Sequence, residues 1–251
     1  MTPLLMLILL GLLFCPQAQS IPVTQNAPVT PSNSKVVDTA IEPKPPVFSE
    51  TTAVVKYYGP IVRPKLQKAF AAQNISYPPA EMTWLCLKDQ KTLQLFAPDK
   101  MGKQHQILSY KIIGLSGTAG PKLKEGDKQV PEGFYRICGF RPNLIAHIGL
   151  SVNYPNKQDL LHARQEKRHN LGGDILIHGS KWSTGCLAMG NPAIEEMFVL
   201  AHDMNYQKID LIFAPCNLLT TTPDIDFKLQ PKWLPALYKQ LSDALKQYPI
   251  N

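Results

Sequence analysis

The spacing of apolar and polar positions divides the chain into stretches of different rhythm. Residues 4–14 form an apolar run broken by one glycine, too short to span a bilayer comfortably. Pro16 and the small-x-small site Ala18-Gln19-Ser20 follow it, so residues 1–20 read as an export signal that a peptidase removes. No Lys or Arg precedes the run, which leaves retention as an anchor and lipidation through Cys15 as alternatives. Beyond it, Pro22, Pro28, Pro31, Pro43, Pro45 and Pro46 stand among Ser, Thr and Val with little periodicity, which predicts an extended linker over residues 21–55. Leu66, Ala69, Phe70 and Gln73 then fall at helical spacing. They predict a short amphipathic helix over residues 61–73, inside a helical segment 56–81 that Tyr77, Pro78 and Pro79 bring to a stop.

From Met82 the pattern becomes that of strands. Residues 84–87 and 92–96 predict a hairpin around Lys88-Asp89-Gln90-Lys91. Further strands are expected over 106–115, 130–137 and 145–153, with a loop marked by Gly114, Gly117 and Gly120. The polar segment 155–173 is long and rich in Arg, Lys and His, which predicts a mobile lid. Residues 174–177 read as a strand that runs into His178-Gly179. Asn191 as cap and Pro192 in the first turn open a helix over 192–203, whose stripe of Ile194, Met197, Phe198 and Ala201 reads as core. A strand over 208–214 and an amphipathic helix over 231–247 complete the series. Many short strands with few helices predict a mostly β (α+β) domain with helices packed outside it. The domain proper is placed at residues 82–216, with a C-terminal helical extension at 217–251.

At 44% hydrophobic, 251 residues can bury the core of one domain. The formal charge of +7 favours an anionic partner such as nucleic acid, anionic lipid or cell-wall polymer. No run of five Lys or Arg and no nucleic-acid motif occurs, so nucleic acid is not expected among the partners. If Cys15 leaves with the signal, Cys86, Cys138, Cys186 and Cys216 remain. The absence of any CxxC argues against a zinc site, and a chain of this size has little need of staples. Cys186 is expected free, and a Cys86–Cys138 bridge is left open.

The stretch richest in chemistry runs from Ile175 to Met189. His178 ends an apolar strand, and Cys186 follows the turn Ser183-Thr184-Gly185 eight residues later. A thiol attacks as thiolate, so it needs a base or a positive field nearby, and an imidazole within reach supplies the base. Amides around Gly185 and Cys186 could stabilise an oxyanion, and the helix that follows could lower the thiol pKa if aligned. By spacing alone, a buried cysteine near a satisfied histidine explains the same residues.

His178-Gly179 followed by Ser183-x-Gly185-Cys186, between a strand and a helix, resembles the signature of the L,D-transpeptidase (YkuD-type) catalytic domain family. Gly120-Pro121-Lys122, Glu125-Gly126-Asp127, residues 130–135, residues 153–156 with Asp159, and Gly172-Gly173-Asp174-Ile175 are similar to upstream blocks of its YafK-like branch. The resemblance covers about residues 60 to 245. It implies a β-sandwich or barrel-like catalytic domain with flanking helices, Cys186 as nucleophile and His178 as general base, with no metal or organic cofactor. Ser183 would orient the histidine or line the pocket, and Gly185 would shape the turn and offer an amide. Gly179 and His147 complete the candidates for orienting or substrate contact. Leu187-Ala188-Met189 departs from the many relatives that carry an Arg two positions after the cysteine. The implied activity is acyl transfer from the L-centre of diaminopimelate in a peptidoglycan tetrapeptide stem, in the periplasm or cell envelope. Alternatives are a hydrolase that cuts the diaminopimelate link to an anchored protein's lysine, and a non-catalytic wall-binding module. Arg164, Lys167 and Arg168 could meet an acidic stem peptide, though a solvated loop is the more usual role of such residues.

Overall fold

The structure, a computed structural model, describes residues 45–250. The expected signal at residues 1–20 and most of the expected linker lie outside the described residues. The chain first forms α1 (Thr51–Ala72), then β1 (Met82–Leu87), β2 (Thr92–Pro98), β3 (Gln104–Lys111), β4 (Gly114–Leu115), β5 (Gly133–Leu144) and β6 (His147–Val152). It continues through α2 (Lys157–Gln165), β7 (Leu176–His178), β8 (Leu187–Ala188), α3 (Asn191–Asp203), β9 (Ile209–Ala214) and α4 (Leu234–Leu245). This is the mixed α+β architecture the strand-rich pattern predicts.

Among the described residues the strands form one nine-stranded sheet in the order β3-β2-β1-β9-β5-β6-β7-β8-β4. β1 and β9 pair parallel, as do β7 and β8, while the other neighbours are antiparallel. Strand side chains alternate between faces, and β1 shows both faces in use. Trp84 and Cys86 enter the larger core shared with α1 and α3, whereas Leu85 and Leu87 pack under α4 with Tyr238 and Leu241. All six β1 residues are buried in consequence. β5 joins the halves of the sheet: its first residues pair with β9, and the register shifts between Ile137 and Gly139 as it turns to β6.

Three local expectations are corrected. α1 starts at Thr51, ten residues before the expected helix and within the stretch read as linker. Pro60 and Pro64 lie inside it, where proline ordinarily breaks a helix. Val54, Tyr58, Val62, Leu66 and Phe70, buried at every fourth position, supply the packing that outweighs the lost hydrogen bonds. The expected lid contains α2. Asn156 accepts from the Gln158 and Asp159 amides, and Asp159 returns a bond to the Asn156 amide, a reciprocal capping box. The segment is pinned further, since His162 stacks on Trp233 at 4.1 Å and Arg168 Nη1 donates to the Leu123 carbonyl at 2.7 Å. Finally, Gly190 caps α3 with no side-chain bond, and Asn191 Oδ1 instead accepts from the Ser180 amide at 2.9 Å.

The Cys86–Cys138 bridge is not formed, because Cys86 is a free, fully buried thiol. β9 stands between β1 and β5, which carries Cys138. Two strand spacings, roughly 9.5 Å, exceed the reach of a disulfide. Among the described residues no helix is long and apolar enough to cross a membrane.

Candidate active site

β7 and β8 place the two candidate catalytic side chains. The parallel register pairs Ile177 with Leu187 and His178 with Ala188, which sets Cys186 level with Leu176. The Leu176 amide indeed donates to Cys186 Sγ at 3.4 Å. Leu176 and His178 share a face of β7, so cysteine and histidine form a diagonal pair on neighbouring chains. Strand geometry separates their Cα atoms by about 8 Å. Both side chains line one open cleft of about 800 Å³, together with Thr184, Ile175 and the 143–146 hairpin.

His178 is held from behind. Its Nδ1 lies 2.6 Å from the Gly179 carbonyl, which can only accept, so Nδ1 carries the proton and Nε2 keeps the lone pair. Gly179 is fixed in turn: a Cβ there would stand 2.7 Å from both the Ala146 carbonyl and Asn191 Oδ1. Only glycine fits so close an approach. Burial holds the imidazole below its ordinary pKa, with the Gly179 bond opposing. The ring is therefore neutral near pH 7.

Cys186 is a free, partly exposed thiol. Its Sγ donates to the Asp174 carbonyl at 3.7 Å, and no hydrogen bond joins it to His178 among the described residues. Burial raises its pKa, against the pull of the Leu176 amide. Desolvation is the largest cause of that rise. The resting pair is thiol and imidazole, both uncharged.

The turn before Cys186 is fastened by a residue that the sequence pattern did not single out. Ser116 Oγ accepts from the Gly185 amide at 2.7 Å and donates to the Lys128 carbonyl at 2.8 Å. Gly185 takes φ +112°, a conformation that L side chains rarely adopt. Its N–H is committed to Ser116, so it is not free for an oxyanion, whereas the Cys186 N–H bonds to no described residue. Ser183 Oγ donates to the Cys186 carbonyl at 2.6 Å. It closes the turn and does not orient the imidazole.

His147 does not join the cleft. At φ +82° its ring turns toward α1 and α3, where Nε2 donates to Glu195 Oε1 at 2.8 Å beside Tyr58. Arg168 is tied to Glu166 and the Leu123 carbonyl, and neither Arg164 nor Lys167 lines the cleft. The cations that do are Lys122 and Lys128. Thr184, Asp174 and Ser116 were not predicted as site residues, because their roles come from strand register and long-range bonds with no local spacing to signal them.

Residues 81–205 match the model of the YkuD family, described as the L,D-transpeptidase catalytic domain. A similar protein is YafK of Escherichia coli (strain K12), provisionally named an L,D-transpeptidase: 39% identical over 114 residues, or 44% of this chain and 43% of that protein. The corresponding protein of Escherichia coli O157:H7 matches to the same extent. The chain thus spans less than half the length of the curated relatives it matches. Among solved structures, the helical cell shape determining protein Pgp2 from Campylobacter jejuni is similar at a TM-score of 0.44 and 21% identity, over 70% of this chain and 60% of that one. Bd1075 of Bdellovibrio bacteriovorus is similar at a TM-score of 0.39 and 16% identity, over 66% of this chain and 56% of that one.

Proposed function

Because residues 81–205 belong to the YkuD family of L,D-transpeptidase catalytic domains, we propose that this chain is a cysteine acyltransferase of peptidoglycan stem peptides. Cys186 is the nucleophile and His178 the general base. The observation that carries this reading is the diagonal placement of the two residues over one cleft, with Nδ1–H locked onto the Gly179 carbonyl. That lock aims an unprotonated Nε2 into the space the thiol can reach.

In this reaction Cys186 rotates off the Asp174 carbonyl and passes its proton to His178 Nε2 as sulfur adds to the substrate carbonyl. The carbonyl is the one on the L-centre of diaminopimelate in a tetrapeptide stem. The unbonded Cys186 N–H is the nearest donor for the developing oxyanion, in place of the committed Gly185 amide. Collapse of the adduct breaks the bond to D-Ala, which leaves as an amine carrying the proton from His178. The thioester then passes to an amine on a second stem, a protein lysine or water. Such an enzyme works in the cell envelope, in keeping with the export signal expected at residues 1–20.

Purified protein incubated with disaccharide-tetrapeptides and read by mass spectrometry tests the proposal. Cross-linked 3–3 dimers support transfer, and tripeptides alone would recast the chain as a hydrolase of the same bond. Unchanged tetrapeptide, under conditions where a control enzyme turns over, would remove the catalytic reading and leave a wall-binding module.

A further inference from the structure

Four charged side chains line the cleft beside Cys186, and three of them are already satisfied. Lys122 Nζ donates to Asp127 Oδ1 at 2.7 Å and to the Lys124 carbonyl at 3.0 Å. Glu125 accepts from Asn170 Nδ2 at 2.7 Å, and Asp174 accepts from Arg141 Nη2 at 3.2 Å. Lys128 is exposed, and among the described residues its ammonium has no hydrogen-bond or ion-pair partner. Among the described residues the cleft therefore holds one uncommitted cation.

The backbone of that lysine is fixed to the nucleophile's turn. The Ser116 hydroxyl that holds the Gly185 amide also holds the Lys128 carbonyl. The next carbonyl, that of Gln129, lies against Gly185, 3.3 Å from where a Cβ would stand. Lys128 itself has φ +57°, a left-handed conformation that costs energy in a non-glycine residue and sets the direction in which its side chain leaves. No charge can come from the position two past the nucleophile. Ala188 there is fully buried and paired with His178.

We infer that Lys128 recognises a carboxylate of the acyl-donor peptide, an assignment that rests on the function proposed above. A tetrapeptide stem offers two such groups, the carboxylate on the D-centre of diaminopimelate and the terminal carboxylate of D-Ala. Either would form a charge-assisted contact with a lysine whose ammonium has no internal competitor.

The test is calorimetric titration of Cys186→Ala protein, which cannot turn over, with three forms of the tetrapeptide stem: free acid, D-centre amide and D-Ala amide. Lys128→Gln is expected to weaken the free acid about ten- to a hundredfold. It should leave unchanged the amide that lacks the recognised carboxylate, and which amide that is names the source. Lys128→Arg should restore the preference for the acid. A loss that is equal for the acid and both amides, no loss for any, or no binding of any form would overturn the assignment. If the preference holds while wild-type protein neither transfers nor hydrolyses the peptide, the proposed chemistry fails and the carboxylate site stands.

Discussion

At the scale of single residues, the site is defined by two uncharged groups. Burial raises the Cys186 thiol above its ordinary value of 9.0 and lowers His178 below 6.5. The signs agree: removal of water disfavours thiolate and imidazolium alike. Alkylation of Cys186 by iodoacetamide, followed by intact mass, should therefore keep climbing as pH passes 9. A plateau near neutrality would instead report a preformed ion pair. The His178 ring, followed by NMR, should take up its proton only below pH 6.5. Ser116→Ala leaves the buried Gly185 N–H without its acceptor, at a cost of about 1–3 kcal/mol. Its expected signature is a roughly tenfold fall in kcat with a modest drop in Tm. A variant as active as wild type would show that the turn holds without the serine.

At the scale of elements, α2 carries a pH signature of its own. Asp159 closes the capping box but is half-buried against Tyr135, and desolvation raises its pKa to about 6. An acid whose folded pKa exceeds its unfolded value of 3.8 favours the fold at low pH. That contribution disappears as pH rises through 6. Asp159→Asn removes the charge and keeps one acceptor oxygen for the Asn156 amide, while its NH2 can donate to the Tyr135 hydroxyl, so it should stabilise the protein by about 1–3 kcal/mol at pH 7.5 and hardly at all at pH 4. Urea unfolding at the two pH values measures the difference. Elements also show what could be read from sequence. The β1–β2 hairpin, the strand into His178 and the 192–203 helix were legible because their apolar periods are strong and local. α1 was cut short because Pro60 and Pro64 obscure a stripe that tertiary packing rescues. α2 was missed because its signal is a pair of capping residues and not a hydrophobic face. In the site, the His178–Cys186 spacing was visible, whereas Ser116 and Lys128 reach it across some sixty to seventy residues of sequence through contacts that no local pattern carries.

At the scale of the whole molecule, a buried ion pair ties the sheet, the loop behind the site and the last helix together. Lys88 Nζ bonds to Glu132 at 2.9 Å and to the carbonyls of Gly120 and Val130, while Glu132 accepts from the Gly120 amide and from Tyr238 on α4. Lys88→Met strands the Glu132 charge in the core and should cost about 3–5 kcal/mol in chemical denaturation. Removing both charges as Lys88→Met/Glu132→Gln should return part of that loss. If the double variant is no more stable than the single one, the two side chains are not coupled.

The position of β9 has a consequence for when the sheet can close. Residues 209–214 follow Cys186 in sequence, yet they form the central strand between β1 and β5. A nascent polypeptide that has just passed its cysteine holds two half-sheets with nothing to join them, and Glu132 has no Tyr238 to bond. Pairings so distant in sequence form late. A chain still being made therefore lacks the strand that unites the two halves, whereas β7 and β8, which set Cys186 beside His178, lie within one of them.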